Sequence, residues 1–141
     1  MQASEPIRQA MYSFFDRLSA GDVSAFYELV EVGEATLVVG TAPGEFVTEE
    51  ERLRFGFELE GLSLSPGRDH GSWSEGDLGW YVGEPVVTLP DGTKQAWRMT
   101  TVWHQADGAW RLVHMHASVA VPDESVNELQ AEWGTSPDTV S

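Results

Sequence analysis

Hydrophobic and polar positions along this chain change period once, and the change divides it into a helical part and an extended part. From residue 5 the apolar residues recur at helical spacing, with Ile7, Met11, Phe14, Phe15 and Leu18 on one stripe. Ser4 stands where a helix cap belongs, and Pro6 falls in the first turn, where no amide donor is needed. Gly21 ends this helix, and Asp22 is expected to cap a shorter one carrying Phe26, Leu29 and Val30. EATLVVG, from Glu34 to Gly40, predicts a short strand, and TAPGEF after it a loop turning at Pro43-Gly44. Thr48 and Glu51 have the spacing of a capping box, which predicts a third helix to about Leu59 carrying Leu53, Phe55 and Phe57. Pro66-Gly67 then interrupts the chain.

From Arg68 onward the pattern is extended. HGSWSE and LGWYVGEPVVTL read as strands, and a turn at Pro90-Asp91-Gly92 leads into a hairpin around Asp107-Gly108. Taken as a two-residue turn, that dipeptide sets Val102 opposite Val113, Thr100 opposite Met115 and Arg98 opposite Ala117. Arg98 and Thr100 are therefore expected to share a cavity-facing side with Met115. Neither side of the hairpin is plainly polar. It should lie mid-sheet, with helices or a cavity on one face and a second subunit on the other. Helices first and an antiparallel sheet after them predict an α+β domain with the helices on one face of a curved sheet. The domain is expected over residues 1–122, followed by an acidic tail, 123–141, in which only Val126, Leu129 and Trp133 hint at a docking helix.

Composition narrows the function classes. The chain has 141 residues and is 41% hydrophobic, enough for one domain with a real core. Its net charge of −15 disfavours nucleic acid and anionic membrane as partners. With no cysteine there is no disulfide, thiolate metal site or cysteine nucleophile. No apolar run has the length of a membrane span or a signal peptide, so cytoplasmic residence is the expectation.

DGAWRLVHMHASVAVP, residues 107–122, resembles the last strand of the nuclear-transport-factor-2-like superfamily in its SnoaL-like branch. The Phe14-x-x-x-Leu18-x-x-Gly21-Asp22 pattern and GTAPGEF at 40–46 resemble the same branch. TVWHQADGAWRLVHMHAS, residues 101–118, is also similar to the association domain of calcium/calmodulin-dependent protein kinases. The resemblance implies a cystatin-like cone: a strongly curved antiparallel sheet wrapped around the N-terminal helices, open over an apolar pocket, and usually a homodimer. Its members include steroid isomerases, cyclases, dehydratases, transport factors and assembly domains, so the fold does not settle the activity. Alignment with the ketosteroid isomerases puts Phe14, Val39 and Thr100 where those enzymes carry a tyrosine donor, an aspartate base and a protonated aspartic acid. A chain without those groups is not expected to isomerise steroids.

The remaining candidates are few. His116 and Glu84 are the candidate catalytic groups, His116 because it titrates near neutrality and Glu84 as a carboxylate that can point inward. Arg98, Thr100, Phe14, Trp80 and Met115 are the candidate ligand contacts, with Arg98 as an electrostatic clamp. His114 and His116 lie two apart on a strand, but no third ligand completes a metal site, and neither a metal nor a cofactor is expected. There is no phosphate loop and no serine–histidine–aspartate order with an elbow. Three functions fit: binding of a small, mostly apolar organic ligand; an isomerase, cyclase or dehydratase acting beside a carbonyl; and a dimeric assembly module.

Overall fold

The computed structural model describes residues 1–133; the remaining tail residues and the side chain of Trp133 lie outside the described residues. After a two-residue strand β1 (Gln2–Ala3), helix α1 (Glu5–Ser19) begins where the cap predicts. The Ser4 hydroxyl accepts the Ile7 amide at 3.3 Å, and Ile7, Met11, Phe14, Phe15 and Leu18 are all buried. Helix α2 (Ser24–Leu29) follows, one residue later than a cap at Asp22 implies. The Asp22 carboxylate still accepts the Ser24 amide at 3.1 Å. Between β2 (Leu37–Val39) and β3 (Phe46–Val47) lies the expected loop, and α3 (Glu50–Glu58) comes next. The Thr48–Glu51 capping box does not form: Glu49 occupies the cap position, without a side-chain cap bond. Phe57 is buried and Phe55 is exposed, because residues two apart on a helix point about 200° from one another.

Strands β4 (Ser63–Glu75), β5 (Leu78–Thr88), β6 (Lys94–Ala106) and β7 (Ala109–Val119) form most of a seven-stranded sheet, ordered β1-β4-β5-β6-β7-β2-β3. The sheet is antiparallel except that β2 runs parallel to β7. Pro66-Gly67 does not end a strand. The ladder of β4 slips there, because proline has no donor to give, and resumes at Arg68 opposite Glu84. Gly67 is required at the slip, since a Cβ atom would stand 2.2 Å from the Glu84 carbonyl oxygen. A second slip at His70 follows. Helix α4 (Asp123–Trp133) closes the described chain, with Val126 and Leu129 half-buried.

The central hairpin turns at Asp107 and Gly108, both left-handed (φ 53° and 77°), as a tight turn demands. Its register departs from the simple count. Trp103 faces Leu112 but Val102 faces His114, so Val113 is an extra residue in β7. Beyond this bulge every pairing moves by one: Thr100 faces His116 and Arg98 faces Ser118. A one-residue slip exchanges the two faces. Met99, Thr101 and Trp103 turn toward the helices with Leu112, Met115 and Ala117, and all six are buried. Arg98 and Thr100 therefore lie on the outer face beside His116, which corrects their expected place beside Met115.

Near the hairpin turn His104 stands between two carboxylates, with Nδ1 2.8 Å from Glu31 and Nε2 3.5 Å from Asp77. The hydrogen bond to Glu31, aided by the charge of both carboxylates, raises the His104 pKa above the ordinary histidine value. The protonated ring is thus favoured in the fold. That contribution is complete below the unfolded pKa of about 6.5 and is lost as pH rises through the folded pKa. An NMR titration should place the His104 midpoint above that of the unfolded chain, and Glu31→Gln should lower it. Identical midpoints in both proteins would exclude the pairing as the cause.

Candidate functional site

The inner side of the sheet and the three N-terminal helices do not close completely on one another. They leave a cavity of about 180 Å³. Helices α1 and α2 supply Phe14, Leu18 and Phe26, with Val30 just beyond α2. Helix α3 lays Leu53, Gly56 and Phe57 against it, and β2 and β3 contribute Val38 and Val47. The floor is Leu64, Trp97, Met99, Leu112 and Met115 from the sheet, with Leu62 just before β4. Phe14 and Phe57 meet edge to face at 5.3 Å, as do Phe26 and Phe57 at 5.9 Å, so the aromatic walls brace one another. One charged residue, Arg52, completes the lining. It also borders an open vestibule between α3 and the β2–β3 hairpin, with Gly40, Glu45, Glu51 and Phe55.

The expected contacts divide between the two faces. Phe14 and Met115 line the cavity. Arg98, Thr100, His116, Glu84 and Trp80 belong to the outer face. The Arg98 Nε donates to the Ser118 hydroxyl at 3.1 Å, and the Glu84 carboxylate sits 2.7 Å from His70 Nε2. Trp80 stacks on Trp73 at 4.6 Å, and His116 is exposed. His114 pins β7 to β2, its Nδ1 2.9 Å from the Leu37 carbonyl. Val39 lies beside His116, and its neighbour Val38 is the β2 residue in the cavity wall. The inward residues next to Val39 and Thr100, namely Val38 and Met99, are again without an ionisable group. Of the three aligned residues, only Phe14 lines the cavity.

Two polar features escape a sequence reading. Arg52 ends the run Glu49-Glu50-Glu51-Arg52, whose simplest reading is a helix start matched to its dipole. The i, i+4 relation of Arg52 to Gly56, beside Leu53 and Phe57, is the signal that would have brought it to the cavity side. The second is a carboxylate shared by two phenols. Asp69, turned inward by the slip in β4, accepts hydrogen bonds from Tyr12 of α1 and from Tyr81 of β5, the latter at 2.6 Å. Burial first, and the bond to Asp69 second, raise the Tyr81 pKa; for Tyr12 the Asp69 bond is the main cause of a rise. None of the three lines the cavity; their hydrogen bonds tie α1 to the sheet.

A helix-wrapped, curved sheet with an apolar chamber under its first helix defines a cystatin-like α+β protein. The profile of the SnoaL-like domain matches residues 7–122, and the chain belongs to that family. No curated protein sequence matches it. Among solved structures it is similar to an uncharacterized cystatin-like-fold protein from Caulobacter vibrioides, at 15% identity and a TM-score of 0.69, over 91% of this chain and 96% of that one. An NTF2-like protein of unknown function from Pseudomonas putida KT2440 matches at 14% identity and a TM-score of 0.71, over 88% and 94%. The association domain of CaMKII from C. elegans matches at 18% identity and a TM-score of 0.64, over 80% and 92%. At such identities the likeness is one of fold.

Proposed function

We propose that this protein binds a small, mostly apolar organic molecule in the chamber beneath α1. The observation that carries the proposal is the lining itself: apolar side chains on every wall, with one cation at the boundary. A concave apolar site with a single placed polar group is the usual form of a small-molecule site. The lining holds no carboxylate, imidazole or phenol, so binding is favoured over acid–base catalysis. Glu45 and Glu51 border the vestibule and not the chamber. Filling the chamber tests this. Met115→Trp is expected to abolish the NMR shifts that single-ring hydrocarbons cause in the wild type. Unchanged shifts in a folded Met115→Trp protein would place binding elsewhere.

A second reading concerns the outer face. Leu78 is 51% exposed there, next to the stacked Trp73–Trp80 pair and the half-buried Val82 and Val102. We propose that two copies associate through this face, which would remove the apolar patch from water. Light scattering at micromolar concentration is expected to give the mass of a dimer, and Leu78→Glu to give a monomer. A monomeric wild type would refute this second reading without touching the first.

A further inference from the structure

The chamber and the vestibule share Val38, Val47 and Arg52, and this common boundary describes a ligand with two unlike ends. We infer that the site takes a monocarboxylate with a single-ring or similarly small branched body, its carboxylate held by Arg52. The inference rests on the binding role proposed above and adds the chemical class.

Size sets the body. A cavity of about 150 Å³ with aliphatic and aromatic walls accepts one benzene ring, whereas drug-sized ligands fill roughly 300 Å³ or more. At about 180 Å³ the chamber holds one ring with a short side chain and excludes a fused polycycle such as a steroid. Polarity sets the position of the head. Away from Arg52 the one strong side-chain donor in the walls is the Trp97 indole N–H, already given to the Gln95 side-chain oxygen at 2.9 Å, so an oxygen placed deep would lose its water without replacement. The head group must therefore sit at the mouth.

Charge sets its kind. The guanidinium keeps its proton, and its planar fork matches a carboxylate. Arg52 already holds one: its Nη1 is 3.4 Å from Glu49 Oε2, a long pair with the side chains 54% and 61% exposed. An exposed pair of that length is held weakly, so an entering carboxylate can exchange with Glu49. Two other carboxylates border the vestibule. Glu45 is folded back over Gly40 and accepts the Ala42 amide at 3.2 Å. Glu51 is exposed and faces the entrance, which disfavours a second negative charge on the ligand.

Calorimetric titration with hydrocinnamate and with its primary amide separates the two levels. The wild type is expected to prefer the acid by about tenfold, the range of a charge-assisted hydrogen bond. Arg52→Met keeps the stem and should erase the preference while leaving amide affinity unchanged. Glu49→Gln removes the internal competitor and should strengthen acid binding alone. Equal affinity for acid and amide in the wild type, or a parallel loss of both in Arg52→Met, would overturn the carboxylate assignment and leave the apolar pocket standing. If neither compound binds the folded wild type, the carboxylate assignment and the pocket fall together.

Discussion

Replacing Trp103 with alanine is expected to remove about 3–5 kcal/mol of stability, the range for deleting a large buried aromatic group. Trp103 is 0% exposed and stands at the β6–β7 bulge opposite Leu112. Its indole N–H donates to the Thr101 hydroxyl at 2.8 Å, and that hydroxyl donates in turn to the Met11 sulfur at 3.4 Å. Truncation thus opens a cavity under α1 and removes one of the partners of a fully buried hydroxyl. For a domain whose net stability is about 5–15 kcal/mol, this is about a fifth of the total or more. Trp103→Phe keeps most of the volume and loses the N–H, so it should cost about 1–2 kcal/mol. Urea unfolding followed by circular dichroism measures both. A loss below about 1 kcal/mol for Trp103→Ala would mean that this indole is not packed as described.

Asp69→Ala is expected to cost about 2–3 kcal/mol, because it strands the hydroxyl of Tyr81, a residue only 1% exposed. Tyr81→Phe should cost less, about 1 kcal/mol, since the carboxylate keeps its bond from Tyr12. The same contacts predict an alkaline limit. Both tyrosines have folded pKa values raised above the unfolded value, so the fold favours the protonated phenols. Their contribution is complete below the unfolded pKa of about 10 and is lost as pH rises from there toward the folded values. Stability measured between pH 9 and about 11 should fall in the wild type more steeply than in a Tyr12→Phe/Tyr81→Phe double variant. Equal slopes would show that the phenols are not coupled to the fold.

Regular repeats could be read from the sequence, and single-residue irregularities could not. The α1 stripe was readable because Ile7, Met11, Phe14, Phe15 and Leu18 obey one period and no tertiary contact overrides it. The Asp107-Gly108 turn was readable because few dipeptides adopt those angles without strain. The bulge at Val113 left no such mark. Valine is an ordinary strand residue, and two-residue alternation continues on both sides of it. One unseen insertion carried Arg98 and Thr100 from the expected cavity side to the outer face, beside His116. Asp69 was lost in the same way, since its inward direction depends on the slip at Pro66-Gly67. Strands β1 and β3 have two residues each, too few to show any period. Phe14 reaches the cavity from the α1 stripe, whose face the sequence pattern marks, whereas the i, i+4 relation of Arg52 to Gly56 marks only a helix side, and that this side meets the β2–β3 hairpin is tertiary.

The stacked indoles of Trp73 and Trp80 have an optical consequence. With ring centres 4.6 Å apart and planes 29° from parallel, their transition dipoles couple strongly. Such a pair contributes a signed couplet to the ultraviolet circular dichroism, whose shape depends on the angle between the rings. Trp103 is sealed inside and reports on the core instead. The couplet therefore reports on the outer side of the sheet, apart from the sealed Trp103. An event on the outer face that turns one ring against the other alters the couplet while the buried indole's emission stays constant.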